Sequence, residues 1–222
     1  AFTSRPPSSL CTLSLDTPPS AQLLSAACAS DGAEVTRAVG SSVTFSLQSP
    51  RGEVAAWTFH DDVIATVEFG NPPKPTFFDN NYKSRVAFTE NGGALTISQL
   101  RLDDAGTYTA KVAGVKTTFT LHVYRELAVP TVTCMTQNCS ADGCRYTLHC
   151  TASGSDSGDI SYGWSMGGQP WGEGPTVLVE SSLPDKPPLP FTCTARNPVS
   201  SRNATVTSPA ALCTGNSHGK MH

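Results

Sequence analysis

Short segments in which apolar and polar residues alternate set the strongest limit on what this chain can fold into. In residues 39–48 (VGSSVTFSLQ), Val43, Phe45 and Leu47 fall on one face and polar residues on the other, the pattern of a half-buried β-strand. Similar segments follow up to residue 124, with turn residues about every eight to twelve positions. No stretch has a convincing helical period, so the chain is predicted to be all-β.

Residues 103–112 (DDAGTYTAKV) indicate the kind of β-sandwich. Asp104, Ala-Gly-Thr and Tyr108 in this order are typical of strand F of an immunoglobulin variable-type domain. Tyr108 is predicted to make the tyrosine-corner hydrogen bond, Trp57 to pack between the sheets, and Arg85 to form an ion pair with Asp104. Because these signals agree, residues 31–124 are predicted to form a variable-type domain.

Both cysteines of the usual inter-sheet disulfide are absent from this domain. Leu47 stands where the first would lie on strand B, and Ala110 stands two positions after Tyr108, where the second is expected. Loss of both, with one position filled by a larger apolar residue and the other by a small one, predicts that packing replaces the bridge.

The second half carries six of the eight cysteines. Cys150, Trp164 and Cys193 follow the immunoglobulin order Cys, Trp, Cys, which predicts a second sandwich over residues 130–213, after a linker at residues 125–129. Phe191 stands where the corner tyrosine would be, so that hydrogen bond is expected to be missing. Pro130 restricts the connection and favours a semi-rigid rod.

Several segments together resemble the ectodomain of the signalling lymphocytic activation molecule (SLAM) family. They are FTCTARNPVSS at residues 191–201, the Cys-x5-Cys of 144–150, the late Cys213 and LHVYREL at 121–127. The resemblance covers roughly residues 33–214. It implies two tandem immunoglobulin-like sandwiches, a variable-type domain without the inter-sheet disulfide and then a C2-type domain with two disulfides. It also implies an immune adhesion and co-signalling receptor.

Disulfide partners follow from the resemblance alone. Carried over by position, Cys150 pairs with Cys193 and Cys144 with Cys213. Cys134 and Cys139 are additional to the family pattern, so either they pair with each other or one is free, and the partners of Cys11 and Cys28 stay open. Asn138 and Asn203 lie in glycosylation sequons, which with clustered cysteines favours a secretory environment.

The ends of the chain carry weaker signals. Residues 1–30 include LLSAACAS, which resembles a signal-peptidase site but fits a disordered leader equally well, and residues 214–222 form a polar tail. No apolar run approaches the roughly 20 residues needed to span a bilayer. The resemblance implies an ectodomain at the extracellular face of the plasma membrane, with membrane attachment not encoded in these residues. The alternative is a secreted form or decoy that occupies the ligand.

The resemblance implies a partner face made by strands G, F, C and C′ of the variable-type domain. Alternation from inward Trp57 and Ala110 predicts which side chains turn outward. On this face we expect Thr58, His60, Thr66, Glu68, Thr109, Lys111, Val115 and Lys116. Their small, polar and singly charged character predicts weak binding by one pair and adhesion only through many pairs. Self-recognition and recognition of a related receptor both remain open.

Other functional classes find little support. The net charge is −3 without a Lys/Arg cluster, which disfavours nucleic acid and a polybasic membrane patch and favours a protein partner. GSDSG at residues 154–158 lacks the central serine of a nucleophile elbow, and His60 and His122 have no paired acid in a recognisable motif. No enzyme activity, small-molecule substrate, cofactor or metal is therefore expected. Zinc held by Cys134, Cys139, Cys144 and Cys150 with His149 is the weaker alternative to disulfides.

Overall fold

The computed structural model describes residues 32–48, 50–154, 160–182 and 189–215. The predicted leader at 1–30, with Cys11 and Cys28, and nearly all of the predicted tail lie outside these residues. Within them the chain is almost entirely β-structure. No helix in the described ranges has both the length and the apolar character needed to cross a bilayer.

The first group of elements ends at Tyr124. It comprises β1 (Ala33–Ala38), β2 (Val43–Ser46), β3 (Val54–Phe59), β4 (Asp62–Glu68), β5 (Lys74–Phe77), α1 (Asn80–Lys83), β6 (Val86–Phe88), β7 (Ala94–Ile97), a 3₁₀ turn (Leu102–Asp104), β8 (Gly106–Val112) and β9 (Val115–Tyr124).

The second group begins at Thr131. It comprises β10 (Thr131–Ser140), β11 (Gly143–Thr151), β12 (Ser161–Met166), β13 (Gln169–Glu173), β14 (Thr176–Ser182), β15 (Phe191–Asn197), β16 (Ser200–Val206) and α2 (Pro209–Gly215). The short helix α2 has no counterpart in the sequence prediction, because seven residues are too few for a visible helical period.

Each group forms two sheets. In the first, a six-stranded sheet of order β1-β9-β8-β3-β4-β5 packs on a three-stranded sheet of order β2-β7-β6. In the second, β10-β11-β14 packs on β13-β12-β15-β16. The prediction of two tandem immunoglobulin-like sandwiches is confirmed. In that nomenclature β3, β4, β8 and β9 are strands C, C′, F and G.

Aromatic rings from both sheets fill the core of the first sandwich. The ring of Phe45 on β2 lies 4.8 Å from that of Phe119 on β9 and 5.1 Å from that of Tyr108 on β8, and Trp57 on β3 lies 6.0 Å from Phe119. All four side chains are fully buried. Rings at these distances attract each other beyond the area they bury, so packing joins the sheets here.

A polar network closes one end of this core. The guanidinium of Arg85 donates two hydrogen bonds to the carboxylate of Asp104, at 2.7 and 2.8 Å, and both side chains are buried. The hydroxyl of Tyr108 donates to the Asp104 carbonyl at 2.8 Å, which is the tyrosine-corner bond. The Asp104 hydrogen bond raises the pKa of Arg85, and burial raises the pKa of Tyr108 and of Tyr82, whose hydroxyl lies 3.4 Å from that of Tyr108.

The core of the second sandwich is built around a disulfide. Cys150 on β11 is bonded to Cys193 on β15, which joins the two sheets, and both residues are fully buried. Trp164 packs in the same core and donates from Nε1 to the Gly174 carbonyl at 3.1 Å. This is the pair that the resemblance implied.

The other pairing that the resemblance implied, Cys144 with Cys213, is wrong. Cys144 is bonded to Cys139, and Cys213 is bonded to Cys134. The antiparallel register of β10 and β11 places Cys139 directly opposite Cys144. Helix α2 packs against β10 and carries Cys213 to Cys134.

The linker between the sandwiches is fastened to the second one. Asn197 donates from Nδ2 to the Arg125 carbonyl at 2.8 Å, and the hydroxyl of Ser200 accepts from the Leu127 amide at 2.9 Å. Leu127 is buried. Gly154 (φ +116°) lies so close to the Glu126 carbonyl that a Cβ would approach its oxygen to 2.5 Å. The Asn-Pro-Val-Ser segment that carried much of the resemblance thus anchors the linker.

Candidate functional site

The outer face of the six-stranded sheet, opposite the aromatic core, carries small and polar side chains in rows across the strands. Strand register places Thr118, Thr109, Thr58 and Val63 in one row over β9, β8, β3 and β4. The next row is Lys116, Lys111, Ala56, Thr66 and Thr76, and the third contains Val54, Glu68 and Lys74. We call this surface the front face.

Two residues expected to be exposed on the front face are buried. Thr58 is 6% exposed and Thr109 is 4% exposed, and they lie opposite each other on the central strands β3 and β8. Alternation correctly predicts the side of the sheet to which they belong, but a short side chain in a central strand is screened by its neighbours. The centre of the face is therefore a shallow floor.

His60 is not on a strand, which corrects the prediction for this residue. Strand β3 ends at Phe59, and His60 and Asp61 form the turn to β4 with φ of 46° and 73°. The His60 ring is exposed and stacks on Phe59, with ring centroids 4.0 Å apart. Gly106 leaves room for this stack, because a Cβ there would clash with both rings. His60 thus lies at the end of the sandwich.

Val115 also differs from the prediction. It is 67% exposed, but its register partner is Val112, whose side chain faces the core. Val115 lines a recess of about 170 Å³ with Leu47, Pro50 and Arg51 at the β8–β9 end of the sandwich. It therefore borders the front face without belonging to it.

The remaining predicted residues lie on the front face as expected. Thr66 is half-buried, while Glu68, Lys111 and Lys116 are exposed. Glu68 forms an ion pair with Lys74 at 3.6 Å. Sequence reasoning missed Lys74 and Thr76, because the Pro in KPTF and the shortness of β5 hide a strand that only its pairing with β4 establishes.

Two lysines carry an unbalanced positive charge on this face. Lys111 on β8 lies directly opposite Lys116 on β9, and neither forms an ion pair within the described part of the chain. Like charges opposite each other on a sheet repel. A carboxylate brought by a partner would relieve that repulsion.

Elsewhere the described residues offer no catalytic geometry that would compete with this face. His122 lies 3.8 Å from Glu34, and both side chains are largely exposed. The four cysteines considered for zinc are all in disulfides, so they cannot act as thiolate ligands. Asn138 and Asn203 are both exposed, so a glycan would fit at either position, although glycosylation itself stays a prediction.

Comparison with known proteins gives relatives over most of the chain. Mouse SLAM family member 5 is 33% identical over 177 residues, which is 76% of this chain and 52% of that protein. The human T-lymphocyte surface antigen Ly-9 is 32% identical over 193 residues, which is 81% of this chain and 29% of that protein. The chain thus spans about half of mouse SLAM family member 5 and less than a third of Ly-9. No protein-family model matches it.

Solved structures support the fold. The CD2-binding domain of CD58 superposes with a TM-score of 0.60, covering 79% of this chain and 96% of that chain at 21% identity. At this identity the likeness concerns the fold alone. SLAM family member 5, Ly-9 and CD58 are not named as enzymes.

Proposed function

This chain belongs to the SLAM family of immunoglobulin-superfamily receptors, and from that premise we propose that its first domain binds a protein partner through the front face. The partner is a second copy of the chain or a related immunoglobulin-superfamily receptor on an opposing cell. The chain is then the extracellular binding part of an immune-cell adhesion and co-signalling receptor.

The observation that carries this proposal is the unbalanced Lys111–Lys116 pair beside a shallow floor of threonines. Most solvent-facing sheets need no partner, but here a cross-strand repulsion is kept in the row next to the short, buried side chains of Thr58 and Thr109. A flat floor allows another sheet to approach closely. The lysines supply the electrostatic complementarity that steers a partner and fixes its orientation.

The same composition supports weak binding. The three rows that define the front face contain no aromatic side chain, and their exposed apolar residues are Val54 and Val63, whereas aromatic anchors dominate tight interfaces. Affinity from one pair is therefore expected in the micromolar range, about −8 kcal/mol. Adhesion would come from many pairs across a contact between two cells.

The test measures self-association and binding to relatives with the same variants. Sedimentation equilibrium follows the glycosylated chain over a wide concentration range, and surface plasmon resonance follows its binding to a panel of SLAM-family ectodomains. Lys111→Glu and Thr66→Arg should each weaken whichever binding is observed by about tenfold or more. Lys83→Glu makes the same charge change at an exposed position of α1, away from the face, and should have no effect.

The outcomes separate clearly. Binding that falls for Lys111→Glu and Thr66→Arg but not for Lys83→Glu supports the front face. Binding that none of these variants changes would contradict the face assignment. A strict monomer that also binds no panel member would contradict the proposed function. Binding to self or to one panel member would decide between homophilic and heterophilic recognition.

A further inference from the structure

The disulfide between Cys139 and Cys144 differs from the other two in its position at a hairpin tip, in the exposure of one of its cysteines and in the length of the loop it closes. It lies at the tip of the β10–β11 hairpin, between residues directly opposite each other. Cys139 is exposed and Cys144 is half-buried. Beside it is an open recess of about 380 Å³, which is lined mainly by polar and charged residues such as Asn138, Asp142 and Arg145. A dissolved thiol can enter this recess.

Each of the other two disulfides has at least one cysteine buried in the core, whereas Cys134, like Cys144, is half-buried and packs against it. Cys150 and Cys193 are fully buried, and Cys213 is 7% exposed where α2 packs on β10. They join residues 43 and 79 positions apart, whereas Cys139 and Cys144 are 5 positions apart. A bridge that closes so short a loop removes the least entropy from the unfolded chain. The hairpin also keeps its backbone pairing when this bridge is open, because β11 remains bonded to β10 and β14.

We propose that Cys139–Cys144 is a thiol-exchange site that extracellular dithiols open selectively while the second sandwich stays folded. A thiolate of the dithiol attacks one sulfur, so that a mixed disulfide forms and the other sulfur leaves as a thiolate, which takes up a proton. The second thiol of the reductant then attacks the mixed disulfide. The dithiol is oxidised to a disulfide, and Cys139 and Cys144 each gain one electron and one proton.

A contact on Cys139 indicates which sulfur leaves. Gln137 donates from Nε2 to the Cys139 sulfur at 3.4 Å, and a hydrogen bond to a developing thiolate stabilises it. Because Cys144 also lines the open recess, a thiolate that enters there attacks Cys144 and releases Cys139. The opened site presents two thiols that can bond to another protein or to a small thiol. This proposal does not depend on the binding function of the front face.

The experiment is differential alkylation of the full glycosylated chain. Free thiols are first blocked with N-ethylmaleimide, the protein is treated with graded dithiothreitol under native conditions, and new thiols are labelled with isotopic maleimide and mapped by peptide mass spectrometry. Cys139 and Cys144 should become labelled at least about tenfold faster than Cys134, Cys150, Cys193 and Cys213. The circular dichroism and the thermal transition of the second sandwich should be retained.

Three variants make the result decisive. The double variant Cys139→Ser with Cys144→Ser should fold and show no fast labelling. Gln137→Leu should label more slowly. Asn138→Gln, which removes the neighbouring sequon, should label at least as fast as the unchanged chain. Simultaneous labelling of all six cysteines, earlier labelling of Cys134 and Cys213, or labelling only after thermal unfolding would overturn the proposal. Unchanged rates in Gln137→Leu would overturn the order of attack.

Discussion

The first sandwich joins its two sheets through aromatic rings and a buried ion pair, whereas the second joins them through a disulfide. Phe45, Trp57, Tyr108 and Phe119 meet between the sheets of the first, and Cys150 bonds to Cys193 between those of the second. The second also has three disulfides in its described residues, and the first has none in its own. The difference means that one chain contains a domain whose stability is independent of redox conditions beside one whose stability depends on them.

The largest effect should come from removing the core disulfide of the second sandwich. Cys150→Ala with Cys193→Ala opens a closed loop of 43 residues and should cost about 4 kcal/mol on the chain-entropy model. Differential scanning calorimetry should show the transition of the second sandwich falling steeply or vanishing, while that of the first stays in place. Equal shifts of both transitions would mean that the two sandwiches unfold together.

Breaking the ion pair between Arg85 and Asp104 should instead destabilise the first sandwich. Arg85→Met leaves the buried Asp104 carboxylate without its partner, which should cost the first sandwich about 3 kcal/mol or more, measured by denaturant unfolding. Adding Asp104→Asn should recover part of this loss, since the neutral amide can still accept the hydrogen bond that the Arg101 amide donates at 2.7 Å. No recovery in the double variant would mean that the buried charge is not the cause.

Alkaline pH should also distinguish the two cores. Burial raises the pKa of Tyr82 and Tyr108 in the folded first sandwich, so their contribution is complete below the unfolded value of about 10 and is lost as pH rises above it. Each tyrosine should lower the free energy of unfolding by up to about 1.4 kcal/mol per pH unit in that window. Calorimetry between pH 9 and about 11 should show a shallower decline for Tyr108→Phe, and an unchanged slope would contradict burial as the cause.

The features predicted correctly from sequence are those set by local patterns. Tyr108 lies four residues after the carbonyl it bonds, and Arg85 and Asp104 lie at fixed positions of the variable-type pattern. The second sandwich was predicted through the order Cys150, Trp164, Cys193. In each case the residues that form the sequence pattern are the residues that contact each other in the structure.

The predictions failed where the position or burial of a side chain depends on neighbouring strands. The partner of Cys144 depends on hairpin register and on a seven-residue helix, neither of which leaves a periodic signal. Burial of Thr58 and Thr109 depends on side chains of adjacent strands, and the position of His60 depends on where β3 ends. The sequence therefore predicts which side of the sheet forms the candidate face. Which of its residues are buried and where the face ends can be read only from the folded structure.

The smallest effect should lie at the junction of the two sandwiches. Ser200 accepts the hydrogen bond of the Leu127 amide and donates to Asn197 Oδ1 at 2.8 Å, and Asn197 in turn holds Arg125. Ser200→Ala should cost about 1 kcal/mol locally without moving the transition of either core. Hydrogen–deuterium exchange should then be about fivefold faster at the Leu127 amide, since 1 kcal/mol corresponds to about that factor.

Ser201→Ala, at the exposed neighbouring position, is the control and should leave exchange at the Leu127 amide unchanged. If the two variants behave alike, the linker is held by the burial of Leu127 rather than by this hydrogen-bond network, and the Asn-Pro-Val-Ser segment acts through packing.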